Sequence, residues 1–101
     1  MKIAITSEGD TLSSYIDPRF GRCAFFAIHD TESEETIFLP NPAKDSKGGA
    51  GPAAVQFIAS QKVGKIIAGE FGEKIRSLLD SLRIEMQNES GKTISEIILQ
   101  S

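Results

Sequence analysis

The chain has 101 residues, of which 40% are hydrophobic and 25% are charged, and its formal net charge at pH 7 is −3. This length predicts one domain, residues 1–101, and the composition is globular rather than disordered, coiled-coil or collagen-like. The acidic balance argues against a nucleic-acid partner, because a general nucleic-acid binder carries a basic field. No apolar run approaches the roughly 18 residues that span a membrane, and the N-terminal run turns polar too early for a signal peptide.

The chain has one cysteine, Cys23, and one histidine, His29. A lone cysteine forms no disulfide within the chain, which favours a cytoplasmic protein in a reducing compartment. The same two residues exclude a zinc site built only from thiolates and imidazoles, and an iron–sulfur cluster held by four cysteines of one chain. A metal centre would have to be shared between chains or arrive as a preassembled ligand.

Hydrophobic periodicity predicts eight elements in the order βββαβαβα. A helix is expected from Pro52 to about residue 63, and a second follows residues 69–72 with an apolar stripe that ends at Leu82. A third helix is expected after the capping box Thr93–Glu96. The predicted strands cover residues 2–6, 24–29, 35–39, 65–68 and 84–87.

The connections between these elements limit how the strands pair. The acidic turn at residues 30–35 is so short that predicted strands 2 and 3 must run antiparallel. Right-handed β-helix-β crossovers make the later strands parallel, and the apolar first and fourth strands belong at the centre. One arrangement that results is an α/β fold with a mixed five-stranded sheet in the order 3-2-1-4-5, in which strand 2 is antiparallel.

In this order, the carboxyl ends of strands 1, 3 and 4 lie at one edge of the sheet. The loops that leave them, at residues 7–23, 40–51 and 69–72, converge there and are called the first, second and third rim loops. Open α/β sheets bind ligands outside the carboxyl ends of their strands, near the point where the strand order reverses. The sequence therefore predicts a binding site among the rim loops.

Charged and nucleophilic side chains are most concentrated at the end of the first rim loop, where Arg19, Arg22 and Cys23 fall within five residues. Guanidinium groups bind anionic oxygen or sulfur ligands, and nearby positive charge favours the thiolate form of cysteine. The alternative is structural: Arg19 pairs with Asp17, Phe20 fills the core, and Cys23 is a small buried residue. We favour a binding role for the arginines and burial for Cys23, because free cysteines are usually buried and inert.

The second rim loop is rich in glycine where the first helix begins. Gly49 and Gly51, with Glu70 nineteen residues after Gly51, partly match a dinucleotide-binding fingerprint, but the glycines do not directly follow a strand. A glycine-rich helix start still exposes N–H groups that favour an anion. A flexible loop that simply begins a helix is an equal alternative. In the third rim loop, Phe71 is either an apolar lid or a core residue, and we expect His29 to be a surface histidine.

Taken together, these motifs resemble the dinitrogenase iron–molybdenum cofactor biosynthesis family over nearly the whole chain. The features that carry the resemblance are the first strand, the segment Asp17–Cys23 before an aromatic strand, Asn41-Pro42, Gly48–Gly51, the Gly69-x-x-Gly72 turn, and the last helix led by Gly91. The resemblance implies a three-layer ribonuclease H-like fold. It also implies a ligand related to the iron–sulfur and iron–molybdenum cofactors, or their precursors, that nitrogenase-linked members bind.

Carried over by matching motif, Arg19, Gly21, Arg22, the Gly48–Gly51 loop and the Gly69–Gly72 turn would line the cofactor-binding site. From its chemistry alone, Cys23 could form one bond to a cluster if it became a thiolate, while arginines and backbone N–H groups neutralise charge, and no metal ligand is assigned. This chain has Glu70-Phe71 where smaller or polar residues are common in the family, and its second rim loop lacks the histidine of some relatives. The candidate cofactor-binding residues are Arg19, Gly21, Arg22, Cys23, Gly48, Gly49, Gly51, Glu70, Phe71 and Gly72.

We therefore expect a small carrier or chaperone that holds an iron–sulfur or iron–molybdenum–sulfur cluster as cargo, without turnover, and exchanges it with donor or acceptor proteins. The alternative is a regulatory module that binds an anion, a nucleotide or a partner protein at the rim without metal. A nuclease is the enzymatic alternative, but two-metal phosphoryl transfer needs clustered carboxylates. The first strand has none, and the nearest are Glu8 and Asp10 in the loop.

Overall fold

The structure is a computed structural model, and it describes residues 1–100. It confirms the predicted order of elements, and each predicted strand agrees with the observed one to within one residue at either end. The elements are β1 (Lys2–Ser7), β2 (Phe25–Asp30), β3 (Thr36–Pro40), α1 (Ala50–Ser60), β4 (Lys65–Ala68), α2 (Glu73–Ser81), β5 (Glu85–Asn88) and α3 (Ile94–Gln100).

The five strands form one sheet in the order β3-β2-β1-β4-β5, as predicted. β2 is antiparallel to both of its neighbours, whereas β1 pairs in parallel with β4, and β4 with β5. The carboxyl ends of β1, β3 and β4 consequently lie at the same edge of the sheet. No helix within residues 1–100 is long and apolar enough to cross a membrane.

The alternation of side chains along β1 divides the core into two layers. On one face of the sheet, Ala4 lies in a buried cluster with side chains of α1 and α2. On the other face, Ile3 and Ile5 lie in a second cluster with Ile94 and Ile97 of α3. The sheet is therefore covered on both faces, which explains why its central strands are apolar throughout.

Two predictions about individual residues are wrong. Leu82, expected in the apolar stripe of the second helix, lies just beyond α2 and is 46% exposed. Helix α2 ends one residue earlier because the chain turns at Arg83, which has a positive φ of 58°. His29, expected on the surface, is only 6% exposed, and its Nδ1 lies 2.9 Å from the Thr36 hydroxyl. The inward side-chain direction at His29 follows from strand alternation, since Ala27 on the same face is fully buried.

The predicted capping box at the start of α3 is confirmed. The Thr93 hydroxyl accepts the Glu96 N–H at 3.3 Å, and Glu96 Oε1 accepts the Thr93 N–H at 3.0 Å. These hydrogen bonds satisfy N–H groups that the first turn of a helix leaves without partners. The backbone hydrogen bond from Thr93, followed by that of its side chain, lowers the pKa of the Glu96 carboxyl.

Replacement Thr93→Ala should lower the free energy of unfolding by about 1 kcal/mol, since it removes the side chain that caps α3. Because the pKa of Glu96 is lower in the folded state, its stabilising effect is present above the unfolded pKa of about 4.3 and is lost as the pH falls below it. Urea unfolding of wild type and Glu96→Gln at pH 7 and pH 3 measures this loss. If wild type were still more stable than Glu96→Gln by the same amount at pH 3, the capping role of the Glu96 carboxylate would be contradicted.

Candidate functional site

Hydrogen bonds attach the middle part of the first rim loop to the end of β1. Asp17 donates its backbone N–H to the Thr6 carbonyl at 3.0 Å, and the Thr6 hydroxyl donates to the Asp17 carbonyl at 2.7 Å. Beside this pair, Ser7 and Ile16 form an antiparallel bridge. Thr6 and Asp17 are 0% and 1% exposed, so water does not compete for these hydrogen bonds. The segment that carries the two arginines therefore begins from a fixed position.

The three rim loops meet, as the predicted topology requires. The first and third loops are joined by a parallel bridge between Arg19 and Glu70 and by the Glu70 N–H, which donates to the Pro18 carbonyl at 3.1 Å. The first and second loops are joined by Arg22, whose Nη1 donates to the Lys44 carbonyl at 3.1 Å. Backbone contacts thus hold the first and third loops together, and a side-chain hydrogen bond from Arg22 joins the first and second.

Asn41 connects the first and second rim loops from inside, a role that the sequence reasoning missed. Its side chain is buried, and its Nδ2 donates to the carbonyls of Gly21 and Cys23, both at 3.0 Å. Its Oδ1 accepts the Ala43 N–H at 3.0 Å. An asparagine that directly follows a strand and precedes a proline is a turn signal that could have indicated this role.

Two glycines allow the loops to approach this closely. A Cβ atom added at Gly69 would lie 2.5 Å from Pro18 Cα, and one added at Gly21 would lie 2.9 Å from the backbone nitrogen of Gly51. Both distances are shorter than real side chains tolerate. Gly21 and Gly69 are therefore required where two backbones pack together.

An open groove of about 480 Å³ lies between the first rim loop, the start of α1 and the first turn of α2. Gly49 has a positive φ of 66° and precedes α1, whose first turn has no side-chain cap and no acidic residue. Pro52, within this turn, has no N–H to donate. The groove is lined by Gly21, Arg22, Gly49, Ala50, Gly51, Pro52, Lys74 and Ile75.

Lys74 is the groove residue that the sequence reasoning missed. It is exposed, and it belongs to the first turn of α2, directly after the third rim loop. The predicted position of a helix after Gly72 was the signal that could have found it, because the first turn of that helix has to lie at the rim. With Arg22, Lys74 gives the groove two cations, and neither forms an ion pair with any of residues 1–100.

Four of the candidate residues line this groove: Gly21, Arg22, Gly49 and Gly51. Gly48 is exposed in the second rim loop, immediately before Gly49. The remaining candidates lie at the rim but do not line the groove, for reasons that differ from residue to residue. These candidates are Arg19, Cys23, Glu70, Phe71 and Gly72.

Arg19 has a partner in the same loop. Its Nε and Nη2 donate to the two carboxylate oxygens of Asp17, each at 3.1 Å. These hydrogen bonds and the charge of Asp17 raise the pKa of Arg19. The Arg19 side chain is 60% exposed, but the Asp17 side chain is 1% exposed, and its carboxylate compensates the charge of the guanidinium. The pairing named as the structural alternative is thus present, and it leaves Arg22 as the uncompensated arginine of this segment.

Cys23 is fully buried, and its Sγ lies 3.7 Å from Asn41 Nδ2. Burial, followed by the negative charge of Asp17, raises the pKa of the Cys23 thiol to about 12. The residue is therefore a neutral thiol near neutral pH, and it is not accessible as a ligand in this conformation. Within residues 1–100, no three His, Cys, Asp or Glu side chains are grouped so that they could hold a metal ion.

The third rim loop contributes structure rather than a lid. Phe71 is 7% exposed and its ring centroid lies 5.9 Å from that of Phe20, which is itself buried. Glu70 has an exposed side chain, and its backbone belongs to the bridge with Arg19. Gly72 occupies the N-cap position of α2. Of the two interpretations of Phe71, the structure favours the core residue.

The Cys23 thiol should react with Ellman's reagent orders of magnitude more slowly in the native protein than in guanidinium chloride, because it is buried and protonated. Since its pKa is raised on folding, its stabilising effect is complete below the unfolded pKa of about 8.5 and is lost as the pH rises toward 12. Wild type should therefore lose stability relative to Cys23→Ala across this range. Rapid labelling of the native protein at pH 7 would contradict the buried assignment.

Replacement Gly69→Ala should destabilise the protein by about 1–3 kcal/mol, because the new methyl group overlaps the backbone at Pro18. Gly48→Ala is the matched control, since nothing lies within 4 Å of its added Cβ. The control should change the stability by no more than about 0.5 kcal/mol. Urea denaturation of both variants checks the difference, and equal effects would refute the close approach at Gly69.

Comparison with known proteins gives consistent results. Residues 1–100 match the family model described as dinitrogenase iron-molybdenum cofactor. The apo form of the orange protein from Desulfovibrio gigas is similar in structure, with a TM-score of 0.92 and 30% identity over 98% of this chain and 84% of that one. A putative NifB protein from Thermotoga gives a TM-score of 0.82 and 34% identity over 96% and 83% of the two chains. No curated protein matches the sequence. The chain belongs to the dinitrogenase iron-molybdenum cofactor family.

Proposed function

We propose that this protein binds a preassembled, anionic metal–sulfur cluster in the groove between Arg22 and Lys74 and carries it without chemical turnover. The observation that carries the proposal is this pair of cations, which lie in a groove beside the uncapped start of α1. Uncompensated positive charge and free N–H groups favour an anion at this position. Membership of the family indicates the class of anion, a metal–sulfur cluster.

The chemistry of the donor set defines the kind of cluster that fits. The groove offers guanidinium, ammonium and backbone N–H donors, while Cys23 is buried as a neutral thiol. Such donors stabilise the negative charge of sulfide through charge-assisted hydrogen bonds, but they form no bond to a metal. The groove therefore suits a cluster whose metal ions are already ligated by its own sulfides, of the iron–sulfur or iron–molybdenum–sulfur type.

The absence of turnover is part of the proposal and rests on the residues of the groove. A hydrolase or transferase needs a positioned general base or nucleophile. The lining residues are glycine, alanine, proline, isoleucine, arginine and lysine, none of which is suited to that role unless its pKa is strongly displaced. A carrier requires only binding and release, and donor or acceptor proteins would supply and remove the cargo.

The second candidate is a regulatory module that binds an anion or a nucleotide at the same groove without metal. It is favoured by the glycine-rich start of α1, where Gly49 takes a positive φ and leaves the first turn without a side-chain cap. This feature recognises phosphate as readily as sulfide, since both are anionic acceptors. The two candidates differ only in the ligand, so one binding experiment separates them.

We expect the protein to retain a molybdenum–sulfide anion, tested with tetrathiomolybdate alone and with ferrous iron, under anaerobic conditions. Replacement of Arg22 or Lys74 by alanine should weaken binding by about tenfold or more, because each variant removes a charge-assisted contact. Lys2→Ala is the matched control, since it removes an exposed cation at the start of β1, the end of that strand away from the rim loops. Equilibrium dialysis followed by metal analysis and visible absorption measures the retained cluster.

Parallel dialysis against ATP and inorganic phosphate distinguishes the alternatives. Retention of phosphate or ATP with no uptake of the molybdenum–sulfide anion would replace the carrier by the anion-binding module. If Cys23→Ala loses the cluster while Arg22→Ala retains it as wild type does, the thiol binds the cluster. That result would contradict the proposed groove. Loss in Arg22→Ala with full retention in Cys23→Ala is the expected result.

A further inference from the structure

Strand β3 has a free edge. It forms the outermost strand of the sheet and pairs only with β2. At the ends of this pairing, the Asp30 N–H donates to the Glu35 carbonyl at 2.9 Å and the Asn41 N–H donates to the Ala24 carbonyl at 3.1 Å. Antiparallel strands bond through every second residue, so positions 35, 37, 39 and 41 face β2. The backbone groups of Thr36, Phe38 and Pro40 therefore point away from the sheet.

This free edge lacks the charges that usually protect an edge strand. β3 has the sequence Thr-Ile-Phe-Leu-Pro, and Ile37 is 52% exposed. The opposite edge strand, β5, has the polar sequence Glu-Met-Gln-Asn. Exposed edges without charges are sites where another strand pairs, and proteins avoid this with charged residues. In β3 only Pro40, which has no N–H, limits pairing, and it does so at one end of the strand.

The two ends of β3 carry opposite charge. The turn before it contains four acidic residues, Asp30, Glu32, Glu34 and Glu35. The second rim loop, which follows β3, carries exposed Lys44 and Lys47 against one acidic residue, Asp45. If β3 of a second copy paired in parallel, the acidic turns of the two copies would lie side by side. If it paired antiparallel, the acidic turn of each copy would lie beside the basic second rim loop of the other.

We propose that the free edge of β3 is a homodimer interface, in which β3 of two copies pair antiparallel around a two-fold axis at Phe38. Each Phe38 N–H would donate to the Phe38 carbonyl of the other copy, and each Thr36 N–H would donate to the opposite Pro40 carbonyl. In this register the missing N–H of Pro40 removes one hydrogen bond at each end and leaves the centre intact. The acidic turn of each copy lies beside the second rim loop of the other.

The interface is self-complementary, as a two-fold dimer requires. The exposed Ile37 side chain would lie opposite Leu39 of the second copy, and the two sheets would become continuous. The groove between Arg22 and Lys74 contains no residue of β3, so pairing at this edge requires no ligand. The proposal consequently goes beyond the proposed function and can be tested on the protein without any cluster.

Sedimentation velocity over about 5–500 µM protein, a range suited to micromolar dissociation constants, should show concentration-dependent dimers of wild type. Replacement Ile37→Lys should raise the dissociation constant by at least about tenfold, because it places a charge inside the paired edge. Leu82→Lys is the matched control, since it introduces the same residue at a leucine that is 46% exposed and remote from β3. The control should dimerise like wild type.

A charge-swap pair tests the direction of the strands. Lys44→Glu/Lys47→Glu and Glu34→Lys/Glu35→Lys should each dimerise more weakly than wild type, because each variant places like charges together. Their mixture should form a heterodimer, since opposite charges then meet at both ends. Circular dichroism confirms that each variant is folded.

Three results would overturn the proposal. Wild type that stays monomeric at about 500 µM removes the dimer, since a dissociation constant in the micromolar range would be detected there. A dimer that Ile37→Lys leaves intact lies elsewhere on the surface. Failure of the swapped pair to form a heterodimer excludes the antiparallel arrangement. None of these results bears on retention of a cluster by the monomer, so failure of this proposal and failure of the proposed function remain distinguishable.

Discussion

The candidate site depends on the attachment of a seventeen-residue loop to the end of one strand. Thr6 and Asp17 exchange hydrogen bonds in the interior, at 3.0 and 2.7 Å, and both residues are almost fully buried. Loops of this length are uncommon in a small protein unless they are anchored, because ordering their backbone has a large entropic cost. The anchor fixes where the following arginine segment begins, and the buried Asn41 fixes where it ends.

The same anchor determines how positive charge is distributed at the rim. Asp17 is buried and needs a cation, which Arg19 provides through two hydrogen bonds. A buried carboxylate without such a partner would be strongly unfavourable. Arg22 donates only to a carbonyl, and Lys74 has no ion-pair partner within residues 1–100. The protein thus uses one arginine to stabilise the loop and leaves one, with a lysine from α2, available to an anion.

Burial of the lone cysteine limits how the protein would hold the proposed metal–sulfur cargo. A carrier that binds metal through thiolates holds its cargo covalently, and transfer then requires ligand exchange. A groove of cations and N–H donors holds a preformed cluster by charge and hydrogen bonds, which are weakened by salt and by competing anions. The family membership and the groove chemistry together favour the second mode. No residue of β3 lines the groove, so the proposed pairing of two copies would not place a strand over it.

The sequence alone determined the order of elements, the strand order and the convergence of the rim loops, because short connections and right-handed crossovers leave few topologies. It also located Arg22 and the glycines of α1. The burial of Cys23 was the interpretation favoured from the sequence, whereas only the tertiary structure decided that Arg19 is paired, that His29 is buried and that Lys74 completes the groove. The composition of the groove depends on residues far apart in the chain, since Arg22 and Lys74 come from different elements. Periodicity shows which face a residue occupies, but not which neighbour covers it.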